Sequence, residues 1–511
     1  MVFFTITSIM EVLFMLRDWI SHDVYQKNLI FQLLRLLLTC RKRIIELKDS
    51  ISKLFLLNLD LIRSILSPLY SNTGRPAKNQ QGIIRSLVLM LDQGEHDIPK
   101  WAARVASDEL LCAICGFEYG KAPSFSSYYD LTKRLWQASH KVQVARKKKL
   151  RTFKPKPRKK PGAGKKYVLP RHNGVVKKFA SLAIQDKLPE YRPEIVLQKL
   201  LARCVVDTSL KMGILGNPKS FSISNDGTPY YSGASHYGVK VCDCKSKGIF
   251  DCKCKRRYSD PDATWGWDSY REQWFYGDTL FVCTAADSPY DLPIYLRKAQ
   301  AQRHDSIIAV FALNEVIKLY PDIIFKNYIA DGSMDNYPTY KLLQHHNMIP
   351  FIPLDSNAKF PDKDLPPGVL CFDDKGTPIC MGGIPYQNWG YSYPKGIKYR
   401  CWFDCHGIDK PCSCTNSPYG RTIYIKPDYD PRLFPPVSRS SDTFKEMLNR
   451  RTTVERSHKR IFKDYDIEAG NCRSSRERFM RATMAAINIH LDAWIKHTGF
   501  SIIPLLEEMA A

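Results

Sequence analysis

Tyr328-Ile329-Ala330-Asp331-Gly332-Ser333 is a short apolar run that ends in a carboxylate and then a turn. It reads as a buried strand that delivers Asp331 just past its end. Cys204-Val205-Val206-Asp207-Thr208-Ser209 has the same design. Strand ends in α/β sheets are where catalytic groups are commonly displayed. A charged group just beyond buried residues also needs solvent, a partner or a metal. Outward from these two runs, strands are expected at Ser220–Ser224, Gly238–Val241, Leu280–Thr284 and Met348–Leu354. Between them, Ile307–Leu319 carries apolar residues at helical spacing. Short strands alternating with a helix predict an α/β core.

The flanks read differently. Ile30, Leu33, Leu34 and Leu37, then Ile44, Ile45 and Leu54, predict two or three amphipathic helices before residue 70. Further helices are expected at 80–93, 97–106 and 108–116, with another starting at Ser124–Ser127. Residues 360–436 are rich in Pro, Gly and Cys with short β-like pieces, and helix returns over 440–497. The expected organisation is a helical region at 1–140 for DNA binding or dimerisation, then a basic linker at 141–195. The first part of the core would span 196–360, a β-rich insertion 361–438, and the closing helices 439–511.

The chain has 511 residues, 76 Lys+Arg against 51 Asp+Glu, and a net charge of +25. An ordinary hydrophobic content of 44% excludes wholesale disorder, collagen and a small disulfide scaffold. The charge excess points to a polyanion, most often nucleic acid. Much of it sits in 131–185, which holds 18 Lys/Arg and no Asp or Glu, including Lys147, Lys148, Lys149, Lys159 and Lys160. Pro155, Pro157, Pro161, Gly162 and Gly164 argue against regular structure there. Such a segment can neutralise phosphates without reading sequence. The apolar opening Met1–Met10 lacks a basic lead and is interrupted by Glu11 and Arg17, so neither a signal peptide nor a membrane span is expected. The expected setting is the cytoplasm, at the nucleoid.

A third carboxylate, Glu455, lies in the helical stretch Arg450-Arg451-Thr452-Thr453-Val454-Glu455-Arg456, with Arg451 one turn before it. Two carboxylates on strand ends and one on a helix can converge on a pair of divalent cations. Local pattern alone is equally met by surface turns and an ordinary Arg–Glu helix pair.

The order of motifs resembles a bacterial insertion-sequence transposase of the DDE type, in the group with an RNase H-like core and a Tyr-Arg-Glu-Lys signature. Val205-Val206-Asp207-Thr208-Ser209 resembles the first-Asp strand, and Ile329-Ala330-Asp331-Gly332-Ser333-Met334-Asp335 the second-Asp motif. Trp274-Phe275-Tyr276-Gly277-Asp278-Thr279 and His304-Asp305-Ser306 resemble the motifs between them, and Ile349-Pro350-Phe351-Ile352-Pro353 the strand that follows. Asn449-Arg450-Arg451-Thr452-Thr453-Val454-Glu455-Arg456 resembles the final Arg-x3-Glu helix. Gly74-Arg75-Pro76 and Pro123-Ser124 are similar to its helical N-terminal region, so the likeness spans about 74–497.

The resemblance implies a DNA transposase that hydrolyses and then transfers phosphodiesters at element ends. Asp207, Asp331 and Glu455 would bind Mg2+ or Mn2+. Arg451 would contact phosphate or steady the Glu, with Arg456, Lys459 and Lys463 as further DNA contacts. Homo-oligomers on DNA are also implied. The family's Tyr and Lys positions are Leu448 and Phe462 here, with Lys459 and Lys463 on either side of the latter. The other class of function is a non-catalytic, zinc-stabilised DNA-binding protein derived from a transposase.

Two cysteine groups need a reason other than disulfides in a reducing compartment. Cys242, Cys244, Cys252 and Cys254 form two CxC pairs, and Cys401, Cys405, Cys412 and Cys414 lie with His406 in the β-rich insertion. Structural zinc, free thiols or a redox pair each suit the first group, and Cys371 and Cys380 are optional partners of the second. Trp265, Trp267, Tyr270, Trp274, Phe275 and Tyr276, with Arg271 among them, suit either core packing or stacking on unpaired bases.

Overall fold

The computed structural model describes residues 19–71, 76–136, 174–189, 192–401 and 420–510, with isolated positions 16, 73, 150, 151, 415 and 417. Lys147, Lys148, Lys149, Lys159 and Lys160 lie outside the described residues, as do Cys405, His406, Cys412 and Cys414.

The centre is a mixed sheet of six strands: β1 (Phe221–Tyr231), β2 (Thr264–Asp268), β3 (Gln273–Ala285), β4 (Pro293–Gln300), β5 (Phe325–Ile329) and β6 (Ile349–Phe351). β3 runs antiparallel to β1 on one side, and to β2 and then β4 on the other. β5 lies parallel to the far side of β1, and β6 parallel to β5. Four strands in antiparallel pairings, β1–β4, extended by two parallel ones, after a helical N-terminal region, make an RNase H-like architecture with a cysteine cluster embedded between β1 and β2. Leu280, Phe281, Val282 and Cys283 of β3 are all buried, because both faces of the sheet are covered.

The N-terminal helices α1 (His22–Glu46), α2 (Lys48–Leu56), α3 (Gln80–Asp92), α4 (Ile98–Ser107), α5 (Glu109–Cys115) and α6 (Phe125–Leu135) share one continuous apolar cluster with the sheet. Asp97 and Asp108 cap α4 and α5 by accepting from Lys100 and Leu111 backbone N–H groups. The segment expected to be linker ends in a helix, α7 (Val175–Ile184), whose Phe179 ring lies 4.8 Å from Phe311. No Pro or Gly falls within α7, and its apolar face has a neighbour to pack on.

The larger correction concerns Cys204-Val205-Val206-Asp207. These residues are helical. α8 (Ile195–Leu201) continues through a π-helical turn, Ala202–Val206, into α9 (Asp207–Lys211). Burial produced the misleading pattern: Cys204, Val205 and Val206 are buried by packing, as strand residues would be. A run this short cannot distinguish a buried strand from a buried helix.

Beyond β5 and β6, α10 (Asp305–Leu319) and α11 (Tyr337–His345) cover the sheet. The β-rich region holds a hairpin of β7 (Val369–Phe372) and β8 (Pro378–Cys380), and a three-stranded sheet of β9 (Gln387–Ser392), β10 (Gly396–Arg400) and β11 (Thr422–Ile425). Its own core includes Phe372, Tyr399 and Phe434, and Cys380 and Cys401 are buried within it. Then follow α12 (Asp442–Asn449), α13 (Thr452–Lys459), α14 (Ser475–Thr498) and α15 (Ile502–Ala510). The buried α14 ties both halves together: Asn488 donates to the Val88 carbonyl at 3.0 Å, and Trp494 to Ser209 Oγ at 2.7 Å. No helix among the described residues is long and apolar enough to cross a membrane.

Candidate active site

β1 carries Asp226, and β5 leads into Asp331. Ser224 pairs with Ile329 across the parallel ladder, so two residues further along both strands Asp226 and Asp331 come level. Asn225 locks the strands together here, donating to the Ile329 carbonyl at 3.3 Å and accepting from the Tyr328 hydroxyl at 3.0 Å. Asp331 sits at the N-cap of a short turn and accepts from Ser333 N at 3.1 Å and Ser333 Oγ at 2.5 Å.

A third carboxylate joins them from α10. Asp305 is its first residue, while His304 is the N-cap, with Nδ1 accepting from Ser306 N at 3.2 Å. The cap role thus belongs to His304 and leaves the Asp305 carboxyl free of it. The Asp305 side chain lies against Gly227 instead, where an added Cβ would stand 2.4 Å from Oδ1.

The electrostatics follow from crowding. Burial first, then the charges of Asp331 and Asp305, push Asp226 up to about 7, although Gly227 N–H and Arg451 pull the other way. Burial and then Asp331 raise Asp305 to about 6. Two raised carboxyls beside a third acid are a grouping that a divalent cation would relieve.

Glu455 on α13 lines a cleft of about 670 Å³ together with Asp226, Gly227, Tyr270, Arg271, Lys459 and Lys463. Its carboxylate is paired with Arg451 at 2.8 Å. The Arg451 carbonyl accepts from Ser224 Oγ at 3.4 Å, which fastens the start of α13 to β1. His458 lines this cleft as well, and burial pushes its imidazole down to about 4.

Of the sequence-expected residues, Asp331 and Glu455 share this region with Arg451, Lys459 and Lys463. Asp207 does not join them. It forms a pair with Arg203 at 2.9 Å on the helix packed under α14, and the groups it perturbs are Cys204 and Tyr320. Asp335 is structural: Arg432 grips it at 2.6 and 2.9 Å. The basic face of the Glu455 helix is more neutralised than its local sequence suggests. Arg450 pairs with Asp287, and Arg456 forks onto Asp291 at 2.7 and 2.8 Å. These acids come from the β3–β4 turn, invisible from α13 alone. Among the described residues Lys459 and Lys463 make no ion pair.

Sequence reasoning missed Asp226. The available signal was Phe221-x-Ile223 alternation running into Asn225-Asp226-Gly227, a tripeptide that reads as a turn.

The aromatic stretch divides. Phe275 and Tyr276 are buried, whereas Trp267, Tyr270 and Trp274 are 50%, 93% and 66% exposed on the β2–β3 hairpin beside the cleft. Trp267 and Trp274 meet edge to face, 5.4 Å apart, as cross-strand partners.

Among the described residues one group of three or more metal-ligating side chains has donor atoms all within 4.8 Å of one another: Cys242, Cys244, Cys252 and Cys254. These four thiols are able to hold a metal ion. The carboxylates are near enough to shift one another but are not gathered so tightly.

Comparison with known proteins gives one finding. Residues 243–491 match the family model of the transposase DDE domain, a distant and partial likeness that includes Asp331 and Glu455 but begins after Asp226. No curated protein and no solved structure matches the chain.

Proposed function

We propose that the protein is a DNA transposase that cleaves and joins phosphodiesters with Asp226, Asp331 and Glu455 as its acidic triad and Asp305 beside them. The observation that carries this is the convergence of Asp226, Asp331 and Asp305 at one end of β1 and β5, with Glu455 across the cleft. Hard carboxylate oxygens in this number fit Mg2+ or Mn2+. Two such ions flanking a phosphodiester would activate the attacking oxygen and stabilise the leaving one.

The chain's own residues do the rest. Asp226 and Asp331 would hold the ions from the sheet. Glu455 would turn from Arg451 to complete the set, freeing the guanidinium for a phosphate. Lys459 and Lys463 line the wall on which the backbone would lie, and Tyr270 with its tryptophan neighbours offers rings to an unpaired base. Water would attack first, and the freed 3′-hydroxyl would then attack a second phosphodiester. The expected partners are element ends and target DNA, bound by a homo-oligomer.

A second reading is favoured by the four-thiol cluster, which is the better-gathered metal site: a zinc-stabilised DNA-binding protein, derived from a transposase, that performs no chemistry. A strand-transfer assay separates the two. The substrate is DNA carrying the sequences that flank the gene, with Mg2+ or Mn2+, and wild type is compared with Asp226→Asn and Asp331→Asn. Metal-dependent joining lost in both variants supports the transposase. Cleavage without joining indicates a nuclease. DNA binding without any chemistry supports the second reading.

A further inference from the structure

The loop between β1 and β2 folds around almost nothing. From 241 to 255 the four cysteines are the only residues that are not exposed. Cys242 Sγ stands 3.5 Å from Cys252 Sγ, and Cys244 Sγ 3.5 Å from Cys254 Sγ. A tetrahedral zinc–thiolate site, with Zn–S near 2.3 Å, places its sulfurs about 3.8 Å apart. The CxC spacing suits this arrangement, because alternate residues of extended chain present their side chains to one side. Each pair therefore contributes two ligands to a shared centre. Around the first pair the backbone turns tightly: Lys247 N and Ile249 N both donate to the Cys244 carbonyl, at 3.1 and 2.9 Å, and Gly248 takes φ +73°. A segment with no apolar core of its own gains folding free energy from a metal.

What the loop presents outward is equally specific. Residues 240–257 carry Lys240, Lys245, Lys247, Lys253, Lys255, Arg256 and Arg257 against Asp243 and Asp251. At the tip between the two CxC pairs, Ile249 and Phe250 are exposed, Phe250 by 68%. The basic arm Arg256–Arg257 pairs with Val239–Lys240 on one side and with Leu150–Arg151, from the basic segment, on the other. An apolar tip ringed by lysines has the chemistry of a wedge that enters between base steps while cations hold the phosphates.

We propose that Cys242, Cys244, Cys252 and Cys254 bind one Zn2+, and that the ion holds up a basic, apolar-tipped knuckle that docks on duplex DNA. The DNA part rests on the reading that this chain acts on DNA; the metal part does not.

The test uses the full chain, purified without chelator. Zinc per chain is measured by elemental mass spectrometry alongside thiol titration, for wild type, Cys244→Ser/Cys254→Ser and Ile249→Ser/Phe250→Ser. Binding to a labelled duplex is followed by anisotropy over a salt series. The expected result is one zinc in wild type and in the tip variant, none in the cysteine variant, and affinity about tenfold weaker in the tip variant. Four freely titrating thiols without zinc, or two disulfides, would overturn the metal site. Zinc retained with unchanged affinity in the tip variant would overturn the DNA contact. Neither measurement depends on strand transfer, so a failed joining assay leaves this proposal standing on its own results.

Discussion

The Asp305 carboxyl lies against the Cα of Gly227, so that a single added methyl at 227 would stand 2.4 Å from Oδ1 and 3.0 Å from Oδ2. The residue after Asp226 therefore sets the position of a carboxyl from another element. In Gly227→Ala, the Asp305 carboxyl must shift away from residue 227, while the strand itself tolerates alanine. Metal-dependent cleavage should fall by about tenfold, worth ~1.4 kcal/mol in barrier, with far-UV circular dichroism unchanged. Wild-type rates in this variant would remove Asp305 from any role beside the triad.

The raised carboxyls give a signed pH dependence. Asp226 has a folded value of about 7, against ~3.9 for an unperturbed Asp. Between those values the native state binds the extra proton, so this residue's contribution to stability declines as pH rises through that window. The groups acting on it are Asp331, Asp305, the Gly227 N–H and Arg451. His458 and His490, both pushed down to about 4 by burial, slope the other way, so only a difference curve isolates Asp226. Asp226→Asn should gain melting temperature relative to wild type as pH goes from 4 to 8 without metal. Mg2+ should stabilise wild type more at pH 8 than at pH 5, and the variant little at either. A flat difference curve would remove the buried, unneutralised carboxyl from the argument.

How much of this was legible in the sequence depends on what each residue's neighbours are. Asp331 and Glu455 could be read because Tyr328–Ala330 is apolar up to the carboxylate and because α13 carries its Arg451–Glu455 pair locally. Asp226 could not, because its strand is central yet polar: Ser222, Ser224 and Asn225 are buried and bonded to residues a hundred or more positions away, namely Asn327, Arg451 and Tyr328. Pattern reading treats buried Ser and Asn as solvent-facing. Cys204-Val205-Val206 failed in reverse, since burial on all sides, by α14, β4 and the neighbouring helices, erased the helical period. The partners of Arg450 and Arg456 on the β3–β4 turn were out of reach for the same reason: they are tertiary neighbours.

Those two aspartates make a direct comparison. Asp207→Asn breaks only a partly exposed i,i+4 pair with Arg203, worth ~0–1 kcal/mol. Its melting temperature and its strand-transfer rate should both stay near wild type. Asp226→Asn should abolish joining. If Asp207→Asn is the inactive one, the first acidic position has been misplaced on β1.

The hairpin aromatics predict a split between substrates. Trp267→Ala and Tyr270→Ala remove exposed rings beside the cleft, and stacking on a base is worth ~1–3 kcal/mol. Binding to DNA with unpaired terminal bases should weaken, while blunt duplex binding changes little. Equal loss on both substrates would mean the rings support the hairpin, through the Trp267–Trp274 contact, rather than the DNA.

The last prediction concerns what holds the site's frame. Arg478 on α14 is 1% exposed and reaches both Asp278 on β3, with Nε at 3.0 Å, and Asp260 at the end of the cysteine loop, with Nη1 at 2.6 Å. It also donates to the Cys472 carbonyl and Ser475 Oγ. Removing the guanidinium leaves buried Asp260 with no ion pair among the described residues and Asp278 with Lys298 alone, 3.4 Å away, and breaking a buried pair this way costs ~3–5 kcal/mol. Arg478→Met should therefore lower the urea midpoint sharply. Lys at this position cannot replace the fork, since an ammonium is a point charge and cannot span both acids in the same plane. Adding Asp260→Asn and Asp278→Asn to Arg478→Met should recover much of the loss, because the uncompensated charge is gone. If the triple variant is no more stable than Arg478→Met, lost packing of the arginine stem is the cause, and the charge pairing contributes little to fastening α14 to the sheet.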